Sequence, residues 1–269
     1  MSRRLLFCIA IGLAAQVPAV RYEAASIKPS KAGGARRLWM EFLPGGRFRS
    51  MNTPLLPVLA TAYNVPFASI ESLRLRMKGV PDWVLGEPYD IEATAGPGSV
   101  AAGASAKARN GHIRLMLQSV LADRLQLKIR RNFVEMPIYA LTVIAHGPKL
   151  TRSTVRAQDC SESAPFGGTA CHQFQGGAGR GLRALAIDMA DLALYLSGWS
   201  ERPIVDQTGL SGLYAIQTEG WADEWASPGG DPSRQTLGEM LDQLGLKLIK
   251  KRGPVEVYVV EHIERPSGN

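Results

Sequence analysis

The sequence predicts an α+β fold of two duplicated β-α-β-α-β-β halves, each a small mixed sheet with helices on one face. Three observations carry this. The late phrase "LGLKLIKKRGPVEVYVVEHI" rewrites an earlier one, "LQLKIRRNFVEMPIYALTVI", aligning Leu125 with Leu244 and Pro137 with Pro254. A segment with helix-spaced apolar residues precedes each copy. Further upstream, a strand leading into a helix also occurs twice. Such repeats are weighed first because a missed repeat misassigns the whole fold, and strands mixed with helices lead to layered α+β packing.

In chain order, the first stretch is "MSRRLLFCIAIGLAAQVPAV", where Arg3 and Arg4 precede an apolar run from Leu5 to Ala15. Small residues follow, offering cleavage near Ala15 or Ala19. This is the grammar of a secretory signal peptide. As a helix the run rises only ~16 Å, against a hydrocarbon core of ~30 Å, so it is too short for an anchor. Residues 1–19 are therefore assigned as a signal peptide, and the mature chain is expected in the periplasm or outside the cell.

Residues 20–150 form the expected first half. "GRFRSMNTPLLPVLATAYN" reads as a strand entering a helix, with Thr53 as N-cap before Pro54. "YDIEATA" is a strand, and "AGPGSVAAGASAKARNG" (Ala95 to Gly111) is a flexible loop. "HIRLMLQSVLADRLQL" places Ile113, Met116, Leu117, Val120, Leu121 and Leu125 on one helical face. A strand over Lys128 to Arg131, a turn and a second strand close the half.

Residues 151–178, rich in Gly, Ser and Cys, are expected to be a linker, and residues 179–269 the second half. There "RGLRALAIDMADLALYLSG" pairs Leu182 with Phe48, Met189 with Leu55, Leu192 with Val58 and Leu196 with Ala62, and Asp188 is its N-cap. Tyr214 of "YAIQTEG" answers Tyr89. "TLGEMLDQLGLKL" repeats the helix through Leu237, Met240, Leu241 and Leu244. A strand over Lys247 to Lys250 and a turn lead to "VEVYVVEHI", which alternates through Val255, Val257 and Val259 as a half-buried strand does.

Composition sets the class. Of 269 residues, 45% are hydrophobic and 20% charged, which permits a packed core. The formal net charge is +7, and two of the basic residues sit in the leader. The remaining basic residues lack aromatic interleaving or a nucleic-acid motif, so the excess reads as solubility or loose attraction to anionic envelope polymers. Nucleic acid is not an expected partner. Of three cysteines, Cys160 and Cys171 survive cleavage, and in an oxidising compartment they are expected to form a disulfide. Closing so short a loop is worth about 3 kcal/mol in the chain-entropy view. The competing reading, a metal site of Cys160, Cys171 and His172, suffers from awkward adjacent ligands and no recognisable fourth.

Familiar catalytic signatures are missing. His112, His146, His172 and His262 belong to no HExxH or HxH arrangement, and no GxSxG elbow is present. "GGAGRG" (Gly176 to Gly181) lacks the phase and the Lys-Ser/Thr of a phosphate loop and reads as a turn. No catalytic residue, cofactor or metal ligand is assigned. In "GWADEWASPGGD", Trp221 and Trp225 bracket Asp223 and Glu224, a candidate ligand-facing loop that suits sugar stacking or, with backbone carbonyls, calcium. The plainer reading is that its tryptophans cap the sheet. In "PDWVLGEPYDIEA" and "VDQTGLSGLY", Trp83, Asp90, Asp206 and Thr208 read as structural, with Gly209 and Gly212 at positive-φ turn positions.

From "YEAASIKPS" through "GGRFRSMNTPL", "GVPDWVLGEPYDIEA", "RLMLQSVLADRLQLK", "EMPIYAL", "GPKL" and "IVDQTGLSGLY" to the final repeat, the mature chain resembles one family. It is an uncharacterised secreted family, a domain of unknown function abundant in soil acidobacteria and sometimes attached to membrane-bound sensor-type metalloproteases. The resemblance implies no activity, cofactor or catalytic residue. The strand-helix half also resembles the small N-terminal modules of secretins and TonB-dependent receptors. The expectation is a non-enzymatic envelope binding or interaction module whose partner is an envelope protein or polymer. The alternatives are an envelope glycan hydrolase, with Asp223 and Glu224 in acid/base roles, and an extracytoplasmic ligand sensor.

Overall fold

The computed structural model describes residues 20–31, 39–67, 70–100, 106–156, 171–222 and 233–267. The predicted leader, Cys160, Asp223, Glu224 and Trp225 lie outside the described residues. The chain is mixed α+β. Its first part runs Ala24–Pro29 (β1), Trp39–Leu43 (β2), Arg47–Pro54 (β3), Leu55–Ala62 (α1), Ile70–Arg76 (α2), Met77–Lys78 (β4), Asp82–Gly86 (α3), Pro88–Thr94 (β5), Ala106–Leu125 (α4) and Lys128–Val143 (β6). It continues as Thr151–Arg152 (β7), Gln175–Gly177 (β8), Gly181–Ile187 (β9), Met189–Ser197 (α5), Ile204–Asp206 (β10), Tyr214–Gln217 (β11), Leu237–Gln243 (α6) and Leu246–His262 (β12).

Helix starts follow local chemistry. At α5, Asp188 accepts from the Asp191 backbone at 2.8 Å while the Asp191 carboxylate accepts from the Asp188 backbone at 3.1 Å, a reciprocal cap at the predicted residue. At α1 the expected Thr53 cap is not used. Strand β3 continues through Pro54, so Thr53 still pairs with Tyr89 and its hydroxyl donates to the Met51 carbonyl at 2.8 Å. Pro54, with φ already at −57°, occupies the cap position instead. The predicted stripe of α4 is buried throughout, from Ile113 to Leu125.

The main correction concerns the strands that end each half. The sequence suggests two hairpins, with turns near "RRNF" and "KKRG". Instead β6 and β12 run unbroken and pair with each other antiparallel, from Leu246 opposite Val143 to Val260 opposite Ile129. Each apparent turn is paired with the other strand, so its polar residues lie along a ribbon. Met136 faces Gly253 at the centre. Pro137 and Pro254 are tolerated because the outer edges carry only short parallel partners, β10 at 139–141 and β4 at 258–259.

The two remaining sheets are antiparallel, in the orders β1-β5-β3-β2 and β7-β11-β9-β8. Segment 151–178, expected to be a linker, contributes β7 and β8 to the second of them, and Cys171 is fully buried against Ala186. Two apolar cores result. The first gathers Phe48, Leu55, Val58, Tyr89 and the α4 stripe, completed by Tyr258 and Val260 from β12. The second gathers Leu182, Met189, Leu192, Leu196, Tyr214, Trp221 and Met240, completed by Leu141 from β6. The ribbon's two ends thus each finish one core.

Candidate functional site

The connection after α5 is short. Ser197 donates to the Ala193 carbonyl at 2.8 Å and accepts from the Ile204 backbone at 2.8 Å, so α5 stops and β10 begins without a further helix. Between them, residues 199–201 rise as one wall of a cleft of about 490 Å³. Its floor is the ribbon face bearing Tyr139, Leu248 and Lys250, and the far wall is Thr236 to Gly238 at the start of α6. The volume falls in the ~300–1,000 Å³ range of small-molecule sites.

Polar groups in the cleft are mostly fixed. The Tyr139 hydroxyl donates to Glu201 Oε1 at 2.9 Å, and Arg202 Nε stands 3.2 Å from the same oxygen. The Arg202 guanidinium also lies 5.4 Å from the Tyr139 ring centre. Thr236 and Glu239 cap α6 reciprocally, and those hydrogen bonds hold the Glu239 carboxyl below its usual range. The side chain of Lys250, directly across from Tyr139, makes no hydrogen bond or ion pair among the described residues.

Trp199 is the rigid aromatic of this wall. Its ring meets Trp221 edge-on, with centroids 6.3 Å apart at 85°. On another side it packs on Gly177, where an added β-carbon would come within 2.7 Å of Cζ2. Trp221 itself is 1% exposed and belongs to the second core, so it faces inward. It is bridged to Gln235, and Ala222 donates to the Gln235 carbonyl at 2.8 Å. Of the candidate loop, then, the structure places Trp221 beneath the cleft wall.

A second polar cluster lies at the start of α5. His172 Nδ1 contacts Asp191 Oδ2, and Asp188 completes a trio whose ligand-type atoms fall within 4.8 Å of one another. Arg114 of α4 stands near Asp191, and burial pulls its guanidinium below the ordinary value while Asp191 pulls the other way. Both carboxylates serve the helix cap, and the neighbouring guanidinium opposes a cation. This cluster therefore reads as an anchor of α5.

The remaining residues singled out in the sequence do not line the cleft; they make local contacts. Asp206 Oδ1 accepts from the Thr208 backbone at 2.9 Å and hydroxyl at 2.8 Å, and Gly209 and Gly212 take positive φ. Asp90 Oδ1 accepts from Ser30 at 2.6 Å and from the Asn52 backbone at 2.8 Å. The Trp83 ring lies 5.0 Å from the Arg265 guanidinium. His112, His146 and His262 do not line the cleft. Tyr139, Trp199, Glu201, Leu248 and Lys250 escaped the sequence reading because they come from separate elements. The signal open to it was the short stretch between "LYLSG" and "PIVD", set against the longer one in the first half.

One family model, described as protein of unknown function (DUF3738), matches residues 57–263. The chain belongs to this family. The DUF3738 match runs from within α1 to just past β12, so it takes in both long strands, the second core, most of the first and every cleft residue. No curated protein and no solved structure matched the chain. Among the described residues no helix is long and apolar enough to cross a membrane.

Proposed function

We propose that this DUF3738 chain is an exported binding module that takes an envelope component into the cleft between Tyr139, Trp199, Glu201 and Lys250. The cleft carries the reading: a preformed concavity with fixed aromatic walls and few, positioned polar groups is what small-ligand recognition requires. Glycan hydrolysis is the weaker reading. It needs two carboxyl groups about 5–10 Å apart across the bond. Among the described lining residues Glu201 is the one carboxylate, and it is already engaged by Tyr139 and Arg202.

Export rests on the leader-like first residues and on Cys160 and Cys171, which we propose are disulfide-bonded. Mass analysis of the secreted chain with and without reductant tests both, through the new N-terminus and the mass difference. Duplication is part of the same proposal. The matching sheet orders support it, as does the burial of each aligned pair, Phe48 with Leu182, Val58 with Leu192 and Tyr89 with Tyr214.

The functional test is a pull-down from envelope extract with the mature chain and with Ala222→Phe, which fills the cleft. Material retained by the first and lost from the second is the expected result. Equal retention, or none by either, would refute the proposal.

A further inference from the structure

We infer that the cleft recognises a carboxylated sugar ring, with Lys250 taking the carboxylate and the Trp199 and Tyr139 rings lying against the sugar's C–H faces. This names the ligand class for the binding module proposed above.

The first support is an asymmetry along the ribbon. The pairs Tyr139–Lys250 and Phe133–Glu256 lie three positions to either side of Met136–Gly253, on the same face. Beside Glu256 stands α2, where Arg76 donates to the Glu256 carbonyl at 3.2 Å while Arg131 pairs with the Glu256 carboxylate. At the Tyr139–Lys250 position the chain passes from α5 to β10 with no such helix, and the space stays open. Phe133 is itself 65% exposed on an open strand face, so what sets the Tyr139–Lys250 end apart is that residues 199–201 and 236–238 wall the space beside it into a cleft.

The second support is the charge left over. Glu201 Oε1 is engaged by Tyr139 and Arg202, whereas Lys250 has no partner among the described residues. Among the described lining residues, the charge without a partner is the Lys250 ammonium. A lone point charge suits a carboxylate, whereas phosphate recognition generally recruits forked guanidinium contacts.

The third support is the distribution of polar and apolar surface. The Trp199 ring, held against Trp221 and Gly177, borders the cleft. The Tyr139 hydroxyl spends its proton on Glu201. Ser200 and Thr236 set hydroxyls beside Leu237 and Leu248, the Thr236 one already committed to the α6 cap. Alternating C–H faces and hydroxyls describe a pyranose ring better than an alkyl chain, which would call for an enclosed apolar lining.

The test is calorimetric titration of the mature chain with cellobiouronate and with cellobiose, which differ in the carboxylate. Saturable binding of the acid, at least tenfold weaker binding of the neutral sugar, and about a tenfold loss in Lys250→Gln are expected. Lys247→Gln, an exposed lysine on the opposite ribbon face, should leave binding unchanged. No saturable binding of the acid, equal binding of both sugars, or an unaffected Lys250→Gln would overturn the inference. The pull-down separates the two ideas. Envelope material retained through the cleft but not displaced by cellobiouronate sinks the sugar-acid assignment alone, whereas failure to retain anything sinks the binding module as well.

Discussion

Gly253 faces Met136 at the centre of the long ribbon, and a β-carbon at 253 would stand 2.8 Å from Ile138 Cδ1. Ile138 is itself 1% exposed. The paired strands therefore leave no room for a side chain at 253 without displacing Ile138. Gly253→Val should overpack this point and cost about 1–3 kcal/mol. Urea unfolding followed by circular dichroism measures it, and an unchanged midpoint would mean that Ile138 yields freely.

Leu141 belongs by sequence to the first half and by packing to the second core. Leu141→Ala should cost about 2–5 kcal/mol, as buried leucine truncations do. Because Tyr258 and Val260 complete the first core in the same reciprocal way, both cores should unfold together. Trp83 reports on the first core and Trp199 on the second. Single-tryptophan variants retaining one or the other should give coincident urea transitions, and separated transitions would show that the cores are independent.

Asp188 caps α5 and is capped in return through Asp191, which His172 also contacts. Asp188→Ala should lose about 1 kcal/mol, and Asp188→Asn, which still accepts from the Asp191 backbone, should recover most of it. Thermal melts of the three proteins decide this.

Burial pushes the Tyr63 hydroxyl up to about 12, where its ring meets Tyr258 at 5.0 Å. The ordinary tyrosine value is about 10. The folded state thus favours the protonated form, so this contribution is whole below pH ~10 and is lost as pH rises towards ~12. Tyr63→Phe should flatten the fall in melting temperature across that window and leave neutral pH little changed. An identical alkaline slope in both proteins would contradict the assignment.

Much of this was legible before any coordinates. The stripe from Ile113 to Leu125, the Asp188 cap and the Asp206–Thr208 turn depend on residues within a few positions of each other, and local spacing encodes them directly. The unbroken β6 and β12 did not show, because "RRNF" and "KKRG" carry the polar residues of a turn and nothing nearby reveals that their partners lie in the opposite strand. The α1 start was misread by one residue because Thr53 is held by its cross-strand neighbour Tyr89. Two residues of the candidate loop's tryptophan-acid motif, Asp223 and Glu224, looked chemically richer than Glu201 and Lys250, which stand alone in sequence.

The sequence by itself determined the α+β class, the family, the amphipathic helices and the positions of the small turn motifs, since period and short-range hydrogen bonding are written residue by residue. Only the tertiary structure decided that the long strands pair with each other, that each end of the ribbon completes one core, and that Tyr139, Trp199, Glu201 and Lys250 meet around one opening. Those outcomes depend on strand register and on which connection omits a helix, and both are set by packing between segments far apart in the chain.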